Sequence, residues 1–113
     1  MTPKALATLI AKAAKDIKAI DLTILNLSKL SGFTDYFVIC SGKSDTQVRA
    51  IADSILKKTK LKDKSPIGVE GYQRGLWVLV DFGAVVAHIF YNDVREYYGL
   101  EKFWGDAKRV AVY

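Results

Sequence analysis

The side chains best suited to nucleophilic chemistry in this sequence are one cysteine, Cys40, and one histidine, His88. A thiol and an imidazole in contact can act as a nucleophile and its base. Cys40, however, ends the apolar run of residues 36–40, and this setting predicts a buried, protonated thiol of low reactivity. His88 lies in a second strand-like run, where a lone histidine usually has a structural hydrogen bond. We therefore predict no catalytic residue of this type.

A metal centre is not expected either. Zinc and other transition metals need several cysteine, histidine or carboxylate ligands at close spacing. The sequence has a single cysteine, a single histidine and no carboxylate cluster at ligand spacing. We predict no metal ion and no other cofactor.

Residues 41–44, Ser-Gly-Lys-Ser, are the best candidate for phosphate binding. They follow a predicted strand and precede a predicted helix, whose N-terminal N–H groups attract anions. They lack the first glycine and the spacing of a Walker A loop. The turn is similar to that of the nucleotidyltransferase fold, but those enzymes also need closely spaced carboxylates for metal ions, and the predicted strands have none. We expect that fold without its catalytic carboxylates and predict that the chain is not an enzyme; a nucleotide-handling enzyme is the alternative.

The elements that position these residues follow from the spacing of apolar side chains. Thr2 and Pro3 suit the start of a helix, and Ser44 suits the N-cap of another. The first predicted element is a helix whose apolar stripe extends to Ile20. It is followed by strands at 22–27 and 36–40, a helix at 45–58 and a strand at 67–70.

Residues 76–81 and 84–90 predict a β-hairpin with its turn at Phe82-Gly83, so that Trp77 lies opposite His88. Side chains alternate along a strand, and one face of this hairpin is wholly aliphatic. The other face mixes aromatic and charged residues, a composition typical of a surface that binds a partner. A second core layer under the N-terminal helix is the alternative. The mixed face comprises Trp77, Leu79, Asp81, Val86, His88 and Phe90.

The C-terminal part predicts a helix capped by Asn92 and ended by Gly99, then a short turn and a basic tail from about residue 105. Together these elements predict an α+β fold, or α/β by a looser count, with a mixed β-sheet flanked by helices. At 113 residues the chain is expected to form a single domain, residues 1–113.

The composition narrows the class of protein further. Half of the residues are hydrophobic, which excludes a disordered chain. No apolar stretch is long enough for a signal peptide or a membrane span, so we expect a cytoplasmic protein with no membrane association. The net charge is +5, and the lysines concentrate in residues 4–18 and 57–64. These are interpreted as solvated helix faces, with a general RNA-binding module as the alternative.

Several segments, in order along residues 5–107, resemble the ribosomal silencing factor family, also called the Iojap family. The first is Gly-Phe-Thr-Asp-Tyr-Phe-Val-Ile-Cys-Ser-Gly-Lys-Ser at residues 32–44. The others are residues 69–71, 77–83, 85–90, 94–101 and 104–107.

This resemblance implies a translation repressor that binds the large ribosomal subunit through its protein number fourteen. Bound there, it would sterically block joining of the small subunit when nutrients are limited. The resemblance also implies a role in ribosome assembly, and it is compatible with a homodimer of the free protein. The family usually has an acid after the hairpin glycine, where this chain has Ala84, so one contact is expected to be missing. The basic charge, atypical of the family, suggests contacts to ribosomal RNA instead.

The docking surface is expected to be formed or flanked by seven residues of the hairpin and its surroundings. Acidic side chains would meet basic groups of the partner, and aromatic side chains would supply apolar area. The residues are Glu70, Trp77, Asp81, His88, Tyr91, Arg95 and Tyr98.

Overall fold

The computed structural model describes residues 1–112, beginning with helix α1 (Pro3–Asp16). Thr2 is its N-cap as predicted, and the Thr2 hydroxyl accepts a hydrogen bond from the Ala5 N–H at 3.1 Å. The prediction that the helix extends to Ile20 is wrong. Its C-cap is Ile17, and Lys18 adopts a φ of 58°, which turns the chain into the first strand. The apolar spacing continues past the helix because Ile17 still packs on the core.

Helix α2 (Asp45–Lys60) confirms the predicted helix and is two residues longer at its C-terminus. Ser44 is its N-cap, and the Ser44 hydroxyl accepts from the Gln47 N–H at 3.1 Å. Both long helices lie on the same face of the sheet, where they cover an aliphatic core. No helix within residues 1–112 combines the length and apolar character needed to cross a bilayer.

Residues 1–112 contain the strands β1 (Ile20–Asn26), β2 (Tyr36–Gly42), β3 (Gly68–Glu70), β4 (Trp77–Asp81), β5 (Val85–Tyr91) and β6 (Lys108–Val110). They form one mixed sheet in the order β3-β4-β5-β2-β1-β6. Strands β2 and β5 pair in parallel, and every other neighbouring pair is antiparallel. The predicted α+β class with a mixed sheet is therefore confirmed, whereas the likeness to nucleotidyltransferases stays a prediction.

Strand β6 was not expected, because the sequence predicts only a basic tail there. Its three residues pair with β1 at the edge of the sheet, and Arg109 lies opposite Leu25. Two adjacent basic residues and a single valine give little apolar signal, which explains why the strand was missed.

The predicted hairpin is confirmed, but its predicted register is wrong. Trp77 lies opposite Phe90 rather than His88. The Phe82 N–H donates to the Val85 carbonyl at 2.9 Å, so the tip is one residue later than expected, at Gly83-Ala84. Moving the tip by one residue shifts the pairing by two, and a shift of two leaves every side chain on its predicted face.

The second face of the sheet is half covered by the C-terminal segment. Helix α3 (Asn92–Tyr98) and the single turn α4 (Leu100–Phe103) follow β5, and Trp104 packs beside them on the sheet. Asn92 is the first residue of α3 and not its cap; Tyr91 precedes it and makes no side-chain capping bond. Phe90 is fully buried in this layer, so the alternative of a second core layer applies to part of the face. The layer is covered by the C-terminal segment and not by the N-terminal helix.

The turn between β3 and β4 sets the position of Trp77. Gly71 and Gly75 have φ values of 77° and 66°, and the Gly75 N–H donates to the Gly71 carbonyl at 3.2 Å. A Cβ atom on Gly71 would lie 2.1 Å from the Trp77 carbonyl oxygen. This backbone contact therefore requires glycine.

Substitution of Gly71 by alanine is expected to destabilise the fold by about 3 kcal/mol, because it adds a backbone clash to an unfavourable φ. The matched control is Gly68→Ala in the neighbouring strand, where an added Cβ would meet nothing within 4 Å. The control is expected to change the free energy of unfolding by less than about 0.5 kcal/mol. Urea unfolding of both variants measures the difference; equal stabilities would contradict this account of the turn.

Candidate functional site

The uncovered half of the second sheet face is the candidate functional site. Its centre is the half-buried Trp77, whose ring centroid lies 5.1 Å from that of Phe90 and 4.7 Å from that of Tyr98. Phe90 fixes the indole from below, and Tyr98 of α3 extends the aromatic surface outward, where it is exposed. The cluster thus links the buried layer to the surface.

A hydrogen bond from the Trp77 indole to His88 determines which tautomer the neutral imidazole adopts. Trp77 Nε1 donates to His88 Nδ1 at 3.1 Å. Because an indole N–H can only donate, Nδ1 must be unprotonated, so a neutral ring carries its proton on Nε2. Burial lowers the pKa of His88 to about 4, which keeps the ring neutral at physiological pH. His88 Nε2 is buried and has no hydrogen-bond partner within residues 1–112.

An apolar groove of about 390 Å³ lies beside this pair. Phe33 and Ile67 form its rim and are 73% and 77% exposed, while the buried His88 and Phe37 also line it. Large apolar side chains held so openly are typical of a protein-binding surface. The sequence-based prediction missed both rim residues because they lie outside the hairpin: Phe33 lies in a loop, and Ile67 was assigned to the predicted strand 67–70 but lies just before β3. The remaining lining residues are Leu79, Asp81, Gly83 and Val86.

Two acidic residues flank the groove and the indole. The Asp81 carboxylate lines the groove, and its Oδ1 accepts from the Gly83 N–H at 2.7 Å, which leaves Oδ2 for another donor. Glu70 is exposed and pairs with Leu79 across β3 and β4, so it shares the face of Trp77 and Asp81. The face therefore combines apolar area with two negative charges.

Arg95 and Tyr91, two other predicted site residues, lie apart from this surface. The Arg95 side chain is only 11% exposed and is bound internally: Nε donates to Glu101 at 2.8 Å and Nη1 donates to Ser41 Oγ at 3.0 Å. Tyr91 packs against the core on the opposite face of the sheet, as alternation along β5 requires. His88, being 3% exposed, can only flank the surface from beneath.

The Ser-Gly-Lys-Ser segment uses its own polar groups within the chain. The Lys43 N–H donates to the Gln47 side chain at 2.7 Å, and the fully buried Ser41 accepts from Arg95. Gln47 in turn donates to the carbonyl of Ile17 at 3.1 Å. The N-terminus of α2 is thus occupied by internal contacts rather than open to a phosphate.

The arrangement of Cys40 and His88 does not form a nucleophile and base pair. Cys40 belongs to the core under α1 and α2, whereas His88 lies on the other face of the sheet. Burial raises the pKa of Cys40 to about 12, so its thiol stays protonated. Within residues 1–112, no three histidine, cysteine or carboxylate side chains are grouped to hold a metal ion.

The buried histidine predicts a dependence of stability on pH. Its pKa is lowered on folding, so between about pH 4 and 6.5 the unfolded chain binds more protons and stability falls as the pH falls. Between about pH 7.5 and 5, His88 is expected to lower the free energy of unfolding by roughly 2 kcal/mol. The control His88→Gln keeps an acceptor for the indole but does not titrate. Urea unfolding at both pH values should show a smaller loss for the variant; equal losses would contradict the assignment.

Comparisons with known proteins agree with this structure. The family model described as "ribosomal silencing factor during starvation" matches residues 1–113. A ribosomal silencing factor from Halalkalibacterium halodurans is 42% identical over 99% of this chain and 96% of its own length. A crystal structure of a Chromobacterium violaceum protein matches with a TM-score of 0.91 and 36% identity, covering 99% of this chain and 92% of that one.

A more distant relative has a name that refers to the mitochondrial ribosome. The Mus musculus protein named "mitochondrial assembly of ribosomal large subunit protein 1" is 37% identical over 74% of this chain and 38% of its own length. The family model and the nearly full-length relatives decide the assignment. The chain belongs to the ribosomal silencing factor family.

Proposed function

We propose that this protein is a cytoplasmic, non-enzymatic repressor that docks on protein number fourteen of the large ribosomal subunit and blocks joining of the small subunit. The apolar groove with its exposed rim is the observation that carries the proposal. Trp77 and Tyr98 extend that surface, and Glu70 and Asp81 supply its charges. Repression under nutrient limitation follows from the starvation role in the family description.

The apolar part of the surface supplies affinity in this proposal. Burying a large apolar side chain completely contributes about 2 kcal/mol, and Phe33 and Ile67 are both available for burial. The indole and the Tyr98 ring are rigid and add contact area with little loss of conformational entropy. Phe90 and His88 already fix the orientation of the indole in the free protein. Binding therefore costs little conformational entropy of the Trp77 side chain.

The acidic part of the surface supplies orientation. Asp81 keeps one carboxylate oxygen free and Glu70 is exposed, so both suit basic groups on a partner. Ala84 occupies the tip of the hairpin, at the position where the resemblance to the family predicts an acid. The proposal therefore includes no ion pair between this position and the partner, and the apolar rim is expected to contribute a larger share of the binding affinity.

The non-enzymatic part of the proposal rests on how the reactive groups are used. The Cys40 thiol is buried. In the Ser-Gly-Lys-Ser segment, the Lys43 N–H donates to Gln47 and the Ser41 hydroxyl accepts from Arg95. No group of the described residues is left poised for nucleophilic attack beside the groove.

A role in assembly of the large subunit is the second candidate function. The name of the mouse relative favours it, because that protein is named for assembly of the mitochondrial large subunit. The same docking surface would serve both functions, since each requires binding to the large subunit.

The proposed surface predicts the effect of removing its rim. The double variant Phe33→Ala with Ile67→Ala is expected to bind purified large subunits at least about tenfold more weakly, because apolar contact area is lost. Stability should be unchanged, since both side chains are exposed. The matched control is Leu30→Ala, which removes a 48% exposed side chain in the turn after β1, outside both the groove and the two long helices.

Sedimentation of the two purified subunits measures the outcome. The wild-type protein and the control should keep the subunits apart, and the double variant should allow them to join. Unchanged joining at saturating wild-type protein would refute the repressor proposal. Accumulation of immature large subunits in depleted cells, with joining unaffected, would support the assembly role instead.

A further inference from the structure

The net positive charge of this protein comes from one layer of the fold. Residues 1–18 and 45–64, which form α1, α2 and their ends, carry ten basic and four acidic side chains. The rest of the chain carries seven basic and eight acidic side chains. The entire net charge of +5 therefore comes from the helical layer, and the sheet and C-terminal segment are close to neutral.

Packing of the two helices joins lysine stretches that are far apart in sequence. Ser54 of α2 donates to the Ala13 carbonyl of α1 at 2.9 Å, and Gln47 donates to the Ile17 carbonyl at 3.1 Å. The helices consequently lie side by side and antiparallel. An open groove of about 440 Å³ between them is lined by Leu9, Lys12, Ala13, Lys15, Asp16 and Lys58.

Few of these charges are neutralised within the protein. Lys58 pairs with Asp16 and Arg49 pairs with Asp45, and within residues 1–112 no other basic side chain of the layer forms an ion pair. Like charges on one surface repel one another and attract a polyanion. The exposed and unpaired lysines are Lys4, Lys12, Lys15, Lys18, Lys57, Lys60 and Lys62.

The chemistry of the layer also indicates how such a polyanion would be bound. The exposed aromatic side chains of the described residues lie outside both long helices, so bases would find no ring on which to stack. Lysine presents a flexible point charge rather than the planar fork that reads a base edge. These features suit contacts to phosphates, which are independent of base sequence.

We propose that the α1–α2 layer binds the phosphate backbone of ribosomal RNA. The layer and the docking groove lie on opposite faces of the sheet, so both can be occupied at once. The choice of RNA over another polyanion rests on the proposed function, which places the protein on the large subunit. RNA then adds salt-sensitive affinity to the protein contact made by the groove.

Two variants with the same net charge test the proposal. The layer variant carries Lys12→Gln, Lys15→Gln, Lys57→Gln and Lys60→Gln. The control variant removes four exposed lysines from other parts of the surface, so that overall charge is matched. Its changes are Lys29→Gln, Lys43→Gln, Lys102→Gln and Lys108→Gln.

Binding to deproteinised RNA of the large subunit is measured between about 50 and 200 mM salt. Each lost phosphate contact lowers the slope of log affinity against log salt by about 0.7–0.9, so the layer variant should lose a slope of roughly 3. Its affinity at about 100 mM salt should fall at least tenfold, and the control should stay within about twofold of the wild type. Circular dichroism checks that all proteins are folded.

Three outcomes would overturn the proposal. They are an unchanged slope for the layer variant, equal losses in both variants, and tighter binding to phosphatidylglycerol vesicles than to RNA. The Phe33→Ala, Ile67→Ala variant separates this proposal from the docking proposal, because it should keep wild-type affinity for free RNA. If RNA binding is retained while wild-type protein leaves subunit joining unchanged, the docking proposal alone fails.

Discussion

The alternation of side chains along β4 and β5 is the constraint on which the two faces of this molecule depend. Val78 and Val80 point into the aliphatic core under α1 and α2, while Trp77 and Leu79 point the other way. A slip of one residue would put the indole under the long helices and expose valines instead. The hairpin tip and the glycine turn after β3 prevent that slip, because each fixes one end of β4.

The hydrogen bond between Trp77 and His88 connects the interior to the candidate docking surface. The indole needs an acceptor when it is half buried, and a neutral imidazole in a buried site provides one. A polar pair therefore lies between the buried Phe90 and the open groove. The consequence is an aromatic surface whose geometry is set by packing inside the sheet rather than by a partner.

The opposite surfaces of the protein have different character because the sheet separates them. The groove side offers apolar area and two acids, and the helical side offers lysines with little internal compensation. A small protein arranged in this way can contact two chemically different neighbours on one large assembly. The internal ion pair of Arg95 and Glu101 holds the C-terminal segment over part of the groove side and so limits how much of that face stays open.

The sequence by itself determined the class of each main element, the membership of the two hairpin faces and the likeness to the family. These follow from local signals: the caps at Thr2 and Ser44, the period of two along the strands, and motifs read in order. Only the tertiary structure decided that His88 is buried and that Arg95 forms an internal ion pair. It also decided that residues 108–110 form a strand and that Phe33 and Ile67 form the rim of the groove. It also decided that two distant lysine stretches form one layer. Each of these depends on which segments meet across the fold, and side-chain spacing along the chain carries no information about such contacts.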